Sequence, residues 1–236
     1  MLAFFGDGKQ LDEITVGDAR EWRLWLFRCG SAKGGPLAKN TVNDRCKKVK
    51  QFFNLANEYE LISKNPFAKI PCSVRANREK FYFVTCDETE RLLDTVPDME
   101  WRLLLALCHY GGLRSPSETM IIRWQNVDWQ NSRMVVFSPK TEHHEGRESR
   151  IVPIFPELRP FLEEAWDSAD LGAEYLLKEL RTHANLGTRM VKIIQRAGLK
   201  RWPRVFHNLR ASRQTELENV FPTHVVCEWL GNTTCA

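Results

Sequence analysis

Long apolar runs are missing from this 236-residue chain. None reaches the roughly 18 residues that a membrane-spanning helix needs, so a membrane protein is not expected. The opening Met1-Leu2-Ala3-Phe4-Phe5 is too short for a signal peptide and meets Gly6-Asp7-Gly8 at once. Paired cysteines are missing as well. Cys29, Cys46, Cys72, Cys86, Cys108, Cys227 and Cys235 form no C-x-x-C pair and no zinc spacing. An odd, scattered set argues against a disulfide framework and reads as reduced thiols inside a cell. Tyrosine is scarce, with only Tyr59, Tyr82, Tyr110 and Tyr175. Internal repeats and low-complexity tracts are absent.

What is present is the composition of a globular chain with real cores: 43% of residues are hydrophobic and 27% charged. The net charge of +4 lies entirely within residues 1–72, where 12 basic residues face 8 acidic ones. The excess is densest between Lys39 and Lys50, where Lys39, Asn40, Arg45, Lys47, Lys48 and Lys50 make a stripe suited to neutralising phosphates. A plain solvated helix face explains the same stripe equally well.

Apolar spacing predicts a helix over 13–30, started by Thr15 or Asp18 and ended by Gly30. A second is predicted over 39–57, with Val42, Cys46, Val49, Phe52, Phe53 and Ala56 on its inner face. Residues 1–72 thus read as a small helical module, and the polar stretch 73–80 as a linker. Its cations Arg75, Arg78 and Lys80 suit a strap across a DNA backbone. Beyond it, Thr85-Cys86-Asp87-Glu88 opens a helix, and an apolar helix from Trp101 to Tyr110 stops at Gly111-Gly112. The period then changes. Short strands are expected at 127–129, 133–137 and 150–154, with a polar hairpin loop over 142–147. Helices return at 157–169, 186–197, 209–219 and 224–230. The fold class is mainly α with a small antiparallel sheet (α+β).

Four fragments carry chemistry. They are Gly111-Gly112-Leu113-Arg114-Ser115-Pro116-Ser117-Glu118, Ser138-Pro139-Lys140-Thr141 with Arg150-Ile151-Val152-Pro153-Ile154, His207-Asn208-Leu209-Arg210, and Trp229-Leu230-Gly231-Asn232. In order and spacing they resemble the catalytic boxes of the tyrosine recombinase (phage integrase) family. The first and second fragments look closest to planctomycete-type integrase-like proteins. The resemblance implies a helical core-binding (SAM-like) domain over 1–72 and a catalytic domain over 81–236. It also implies site-specific DNA strand cleavage and rejoining, in DNA integration or element mobility, with duplex DNA as partner and no cofactor. By the same resemblance Arg114 and Arg210 clamp the scissile phosphate, and Lys140 protonates the departing 5′ oxygen. His207 exchanges a proton or holds the phosphate, and Glu118 orients its neighbours, one residue further from the first arginine than usual. Planar, permanently charged guanidiniums suit phosphate, and fixed cations stabilise the charge that builds in phosphoryl transfer.

Each residue has an ordinary alternative. Arg114 could cap a helix end, Lys140 could be solvated, His207 could pack, and Gly231-Asn232 is a common turn. Asn232 stands where the family usually has histidine or tryptophan, and its amide could donate to a phosphate oxygen without moving a proton. The adjacent His143 and His144 point to opposite sides of a strand or hairpin, so no metal site is expected there. The family's nucleophilic tyrosine would fall about nine residues past Asn232, beyond Ala236. The expectation is therefore a catalytic domain incomplete at its C-terminus, either an inactive recombinase chain or an inert DNA-binding remnant or regulator. A complete chain would form dimers or tetramers on DNA, in the cytoplasm beside the nucleoid.

Overall fold

The computed structural model describes residues 1–139, 148–182 and 185–232, which divide into compact units at Asn77 and Arg78. The expected hairpin loop at 142–147 and Lys140 lie outside the described residues. Among the described residues, no helix is long and apolar enough to cross a membrane.

The first unit is built from α1 (Leu2–Phe5), α2 (Val16–Cys29) and α3 (Lys39–Glu58). Thr15 and Asp18 share the start of α2. The Thr15 hydroxyl accepts from the Asp18 N–H, and the Asp18 carboxylate accepts from the Thr15 N–H. Ala19, Trp22 and Leu26 of α2 then face Val42, Cys46, Phe53 and Ala56 of α3 in one buried cluster. Phe67 closes it, with its ring 5.6 Å from Trp22 and 4.9 Å from Phe53. Phe52, expected on the inner face, is instead exposed: it lies next to Phe53, and adjacent helical residues cannot share one face.

The second unit is mainly helical with a small sheet. It contains α4 (Cys86–Thr95), α5 (Met99–His109), α6 (Arg159–Asp167), α7 (Leu186–Arg196), α8 (Val205–Glu218) and α9 (Thr223–Leu230). The strands β1 (Val127–Asp128), β2 (Arg133–Phe137) and β3 (Ser149–Pro153) form an antiparallel sheet in that order. α5 is the central helix: Trp101 and every residue from Leu103 to His109 are buried. On the sheet, Met134, Val136 and Val152 point to the core while Phe137 and Ile151 face outward, the alternation of a half-buried sheet. α8 begins at Val205, earlier than the 209 expected from apolar spacing. Arg204, left-handed at φ 48°, precedes it without capping it through its side chain, so the usual sequence signal for a helix start is missing.

Candidate active site

Two tight turns set the position of the site. After α5 the chain passes through Gly112, whose φ is +62°, and any Cβ there would overlap the Leu230 side chain. After α9 it passes through Gly231 at φ +63°, where an added Cβ would come 3.1 Å from Arg150 Cδ and 3.4 Å from Arg114 Nη1. Both positions need glycine, for the left-handed backbone and for the close approach. The result is that the turn carrying Arg114 lies against the turn carrying Asn232.

At the centre is Glu118, 1% exposed. Its carboxylate accepts from the Arg114 N–H at 2.8 Å and from Arg114 Nη1 at 2.5 Å. Arg150 donates through Nη1 at 2.8 Å and Nη2 at 2.7 Å, and Ser138 Oγ donates at 3.0 Å. Burial alone would push the Glu118 carboxyl up. The hydrogen bonds and charge of Arg150, followed by those of Arg114, outweigh that and hold it at about 2. Glu118 is therefore an anion that fixes guanidinium positions.

Arg210, on α8, is 6% exposed. Its Nη1 donates to Gly112 O at 2.6 Å, and its Nη2 reaches Leu230 O and, at 2.8 Å, Asn232 Oδ1. Arg114 Nη2 approaches the same Asn232 oxygen at 3.5 Å and bonds Gly231 O at 2.6 Å. Arg114 and Arg210 thus converge from two parts of the chain. Burial, and then repulsion from Arg114 and Arg150, hold the Arg210 guanidinium below its ordinary value. Three guanidiniums lie within 3.9 Å of one carboxylate, leaving a formal excess of two positive charges. A charge balance of that kind attracts anions.

Asn232 joins the group differently from the reading of its amide as a phosphate donor. Its Oδ1 faces the arginines and its Nδ2 donates to Gln214 Oε1 at 2.8 Å. His207 is exposed on the first turn of α8, and the i, i+3 spacing puts it on the same side as Arg210. Ser138, the residue just after β2, donates to Glu118 and lies two positions before Lys140 in the sequence.

The phage integrase family profile matches residues 82–235, well over half of the chain, and a phage integrase SAM-like domain profile matches residues 2–73. The chain belongs to the phage integrase family. Solved integrases share its fold. The Tn1549 transposon integrase in complex with transposon right end DNA aligns with a TM-score of 0.75 at 19% identity, over 96% of this chain and 80% of that one. The lambda integrase(75-356) dimer bound to a COC' core site gives 0.70 at 17%, over 95% and 81%. The XerA recombinase gives 0.54 at 23%, over 99% and 79%. No curated protein matches this sequence at a significant level.

Arg150 belongs to the same cluster, although its fragment gave it no role by sequence. It is 9% exposed and ties β3 to Glu118, to Ser138 Oγ at 2.7 Å and to Trp229 O at 2.6 Å. The expected DNA-facing residues of α3 and of the stretch 73–80 divide by what they touch. Asn40 donates to Arg75 O, Arg45 to Gly30 O at the end of α2, and Lys50 to Ala68 O. Lys48 pairs with Asp44, while Lys39 and Lys47 are exposed on α3 without an ion pair among the described residues. Arg75, Arg78 and Lys80 are exposed.

Proposed function

We propose that this chain is a site-specific DNA recombinase in which Arg114 and Arg210 hold the scissile phosphate of duplex DNA. The observation that carries it is the excess of guanidinium charge about Glu118, with both arginines meeting at Asn232 Oδ1. In strand transfer, charge grows on the non-bridging phosphate oxygens. Guanidiniums held by Glu118, Gly112 O and Gly231 O meet that charge without rearranging. In this reading Lys140 protonates the leaving 5′ oxygen, His207 handles the proton of the attacking group, and Arg150 keeps Glu118 ionised. Residues 1–72 are the core-binding domain, 73–80 the linker and 81–236 the catalytic domain. The DNA-bound dimers and tetramers of integrases with this fold support duplex DNA as partner and self-association upon it. Kinship to planctomycete-type integrase-like proteins, carried by the wording of the first two fragments, belongs to the same proposal.

We further propose that these 236 residues bind DNA without cutting it. None of the tyrosines in the catalytic unit suits the nucleophile's role. Tyr82 donates to Glu88 at 2.6 Å and Tyr175 accepts from Arg123 at 3.2 Å, while burial pushes Tyr110 up to about 12. Without a nucleophile no covalent phosphotyrosine forms. The experiment pairs a nicked suicide duplex with a salt titration. The chain should bind duplex DNA with an affinity that falls steeply with salt, and it should leave no detergent-stable adduct. An adduct would overturn the non-cutting reading. Binding unaffected by Arg114→Ala and Arg210→Ala, and flat in salt, would overturn the phosphate site.

A further inference from the structure

Away from the arginine cluster, three helices of the second unit bring together Cys86, His109 and Glu216. Cys86 is the first residue of α4, His109 the last of α5, and Glu216 lies near the end of α8. One ligating atom from each falls within 4.8 Å of the other two. Glu216 Oε1 is the common point, 3.4 Å from His109 Nε2 and 3.9 Å from Cys86 Sγ. Metal–ligand bonds of about 2.0–2.3 Å in a tetrahedron put ligand atoms roughly 3.3–3.8 Å apart, so the two spacings to Glu216 are close to what a bound ion needs and the third pair, within 4.8 Å, would draw in on binding.

The second observation concerns His109. It is 0% exposed, and neither ring nitrogen has a hydrogen-bond partner among the described residues. Nε2 meets Glu216 Oε1 only at 3.4 Å, a loose polar approach outside hydrogen-bond geometry, and Nδ1 has no partner among the described residues. A buried polar group left unpaired costs about 1–3 kcal/mol, so an imidazole in this position calls for a ligand. Thiol, imidazole and carboxylate together are a zinc-class donor set. Arg213 donates to Glu216 Oε2 at 3.3 Å, which leaves Oε1 turned towards His109 and Cys86. An outer partner that orients a ligating carboxylate in this way is a common feature of metal sites. Cys86 is exposed, so water can reach a fourth position.

We propose that Cys86, His109 and Glu216 hold a zinc-class divalent cation, with water as fourth ligand. Binding replaces the thiol proton by the metal: the Cys86 S–H bond breaks, a sulfur–metal bond forms and one proton leaves to solvent. Burial, and then the nearby Glu216, favour the protonated thiol before the ion arrives. The ion staples the start of α4 and the end of α5 to α8. His109 leads through Gly111-Gly112 into Arg114, and Glu216 shares its helix with Arg210, so the staple stiffens both arms of the arginine pair. The expectation of no metal site rested on the His143-His144 pair and on the absence of zinc spacing among the cysteines; Cys86, His109 and Glu216 stand on three separate helices, where sequence spacing does not join them.

The test adds zinc alone, or cobalt(II) as its coloured substitute, to the purified chain in phosphate-free buffer. One ion per chain by native mass spectrometry is expected, with a higher Tm and a thiolate-to-cobalt charge-transfer band. Cys86→Ser, at an exposed position, should keep the fold by circular dichroism, abolish the band and weaken zinc roughly tenfold or more. Glu216→Gln should weaken binding similarly while keeping the band. The proposal is overturned if no ion is retained. It is equally overturned if band and stoichiometry survive Cys86→Ser, or if His143→Ala with His144→Ala abolishes binding.

Discussion

Arg210 and Arg213 lie one turn apart on α8, each 6% exposed, and their surroundings are opposites. Around Arg210 three guanidiniums share Glu118, so positive charge is in excess. Around Arg213 the balance reverses. Its guanidinium pairs with both Glu157 and Glu216 at 3.3 Å, beside Cys86 and a His109 whose Nε2 lies 3.4 Å from Glu216 Oε1. A folded protein can bury an arginine as a finished ion pair or as one member of an unfinished group. The first kind fixes the fold; the second leaves something to be bound. The same helix therefore carries a finished ion pair at Arg213 and, one turn away at Arg210, guanidinium charge in excess of the single carboxylate it shares.

The largest effect should come from removing the one carboxylate of the positive cluster. Glu118→Gln leaves three guanidiniums facing one another without an anion, which should cost about 3–5 kcal/mol in urea denaturation. A loss under about 1 kcal/mol would mean that the arginines move apart freely, and the contrast with Arg213 would dissolve. Acid tests the same carboxylate without mutation. Its folded pKa of about 2 lies below the ordinary 4.5, so its contribution is complete above about 4.5 and lost as pH falls through about 2. The shift corresponds to about 3 kcal/mol, visible as an acid limb that is flattened in Glu118→Gln. An unchanged limb would assign the acid sensitivity to other groups.

Next in size is anion affinity. Inorganic phosphate should raise the Tm of the chain. Arg210→Lys should weaken that binding roughly tenfold, because a lysine cannot reproduce the fork between two carbonyls and Asn232. Arg213→Lys should lower stability but leave phosphate affinity within about twofold, since its guanidinium is already neutralised. Equal effects of the two substitutions would erase the distinction drawn between them.

Much of the positive cluster was legible before any coordinates. Arg114, Glu118, Arg210 and Asn232 stand in short fragments whose residue types suit phosphate, and the structure brings these four together. Arg150 was not legible in that way. It stands in an ordinary strand run, alternating with the outward Ile151 and sharing the inward face of β3 with Val152, and only the antiparallel register opposite Val136 brings it to Glu118. His109 was hidden for a different reason. It closes an apolar run, where a histidine reads as core, and its neighbours Cys86 and Glu216 arrive through tertiary packing alone. The basic stripe on α3 was visible as charge, but its local uses were not. Arg45 and Lys50 donate to backbone carbonyls of their own unit, which composition cannot reveal.

The smallest effect is also the sharpest control. Glu157→Gln repeats the chemistry of Glu118→Gln, amide for carboxylate, at the negative cluster. Glu157 has a side chain 48% exposed, against 1% for Glu118, and Arg213 keeps Glu216 as a second partner. Water and the remaining carboxylate absorb the change, so the cost should be about 0–1 kcal/mol. Phosphate binding should not move. Zinc affinity should fall slightly, because one negative charge near the cation is gone while all three ligands stay. A Glu157→Gln loss approaching that of Glu118→Gln would mean that Arg213 is no more complete than Arg210. A small loss leaves the difference where the charges put it, with Arg213 neutralised by two carboxylates and Arg210 sharing one carboxylate with two other guanidiniums.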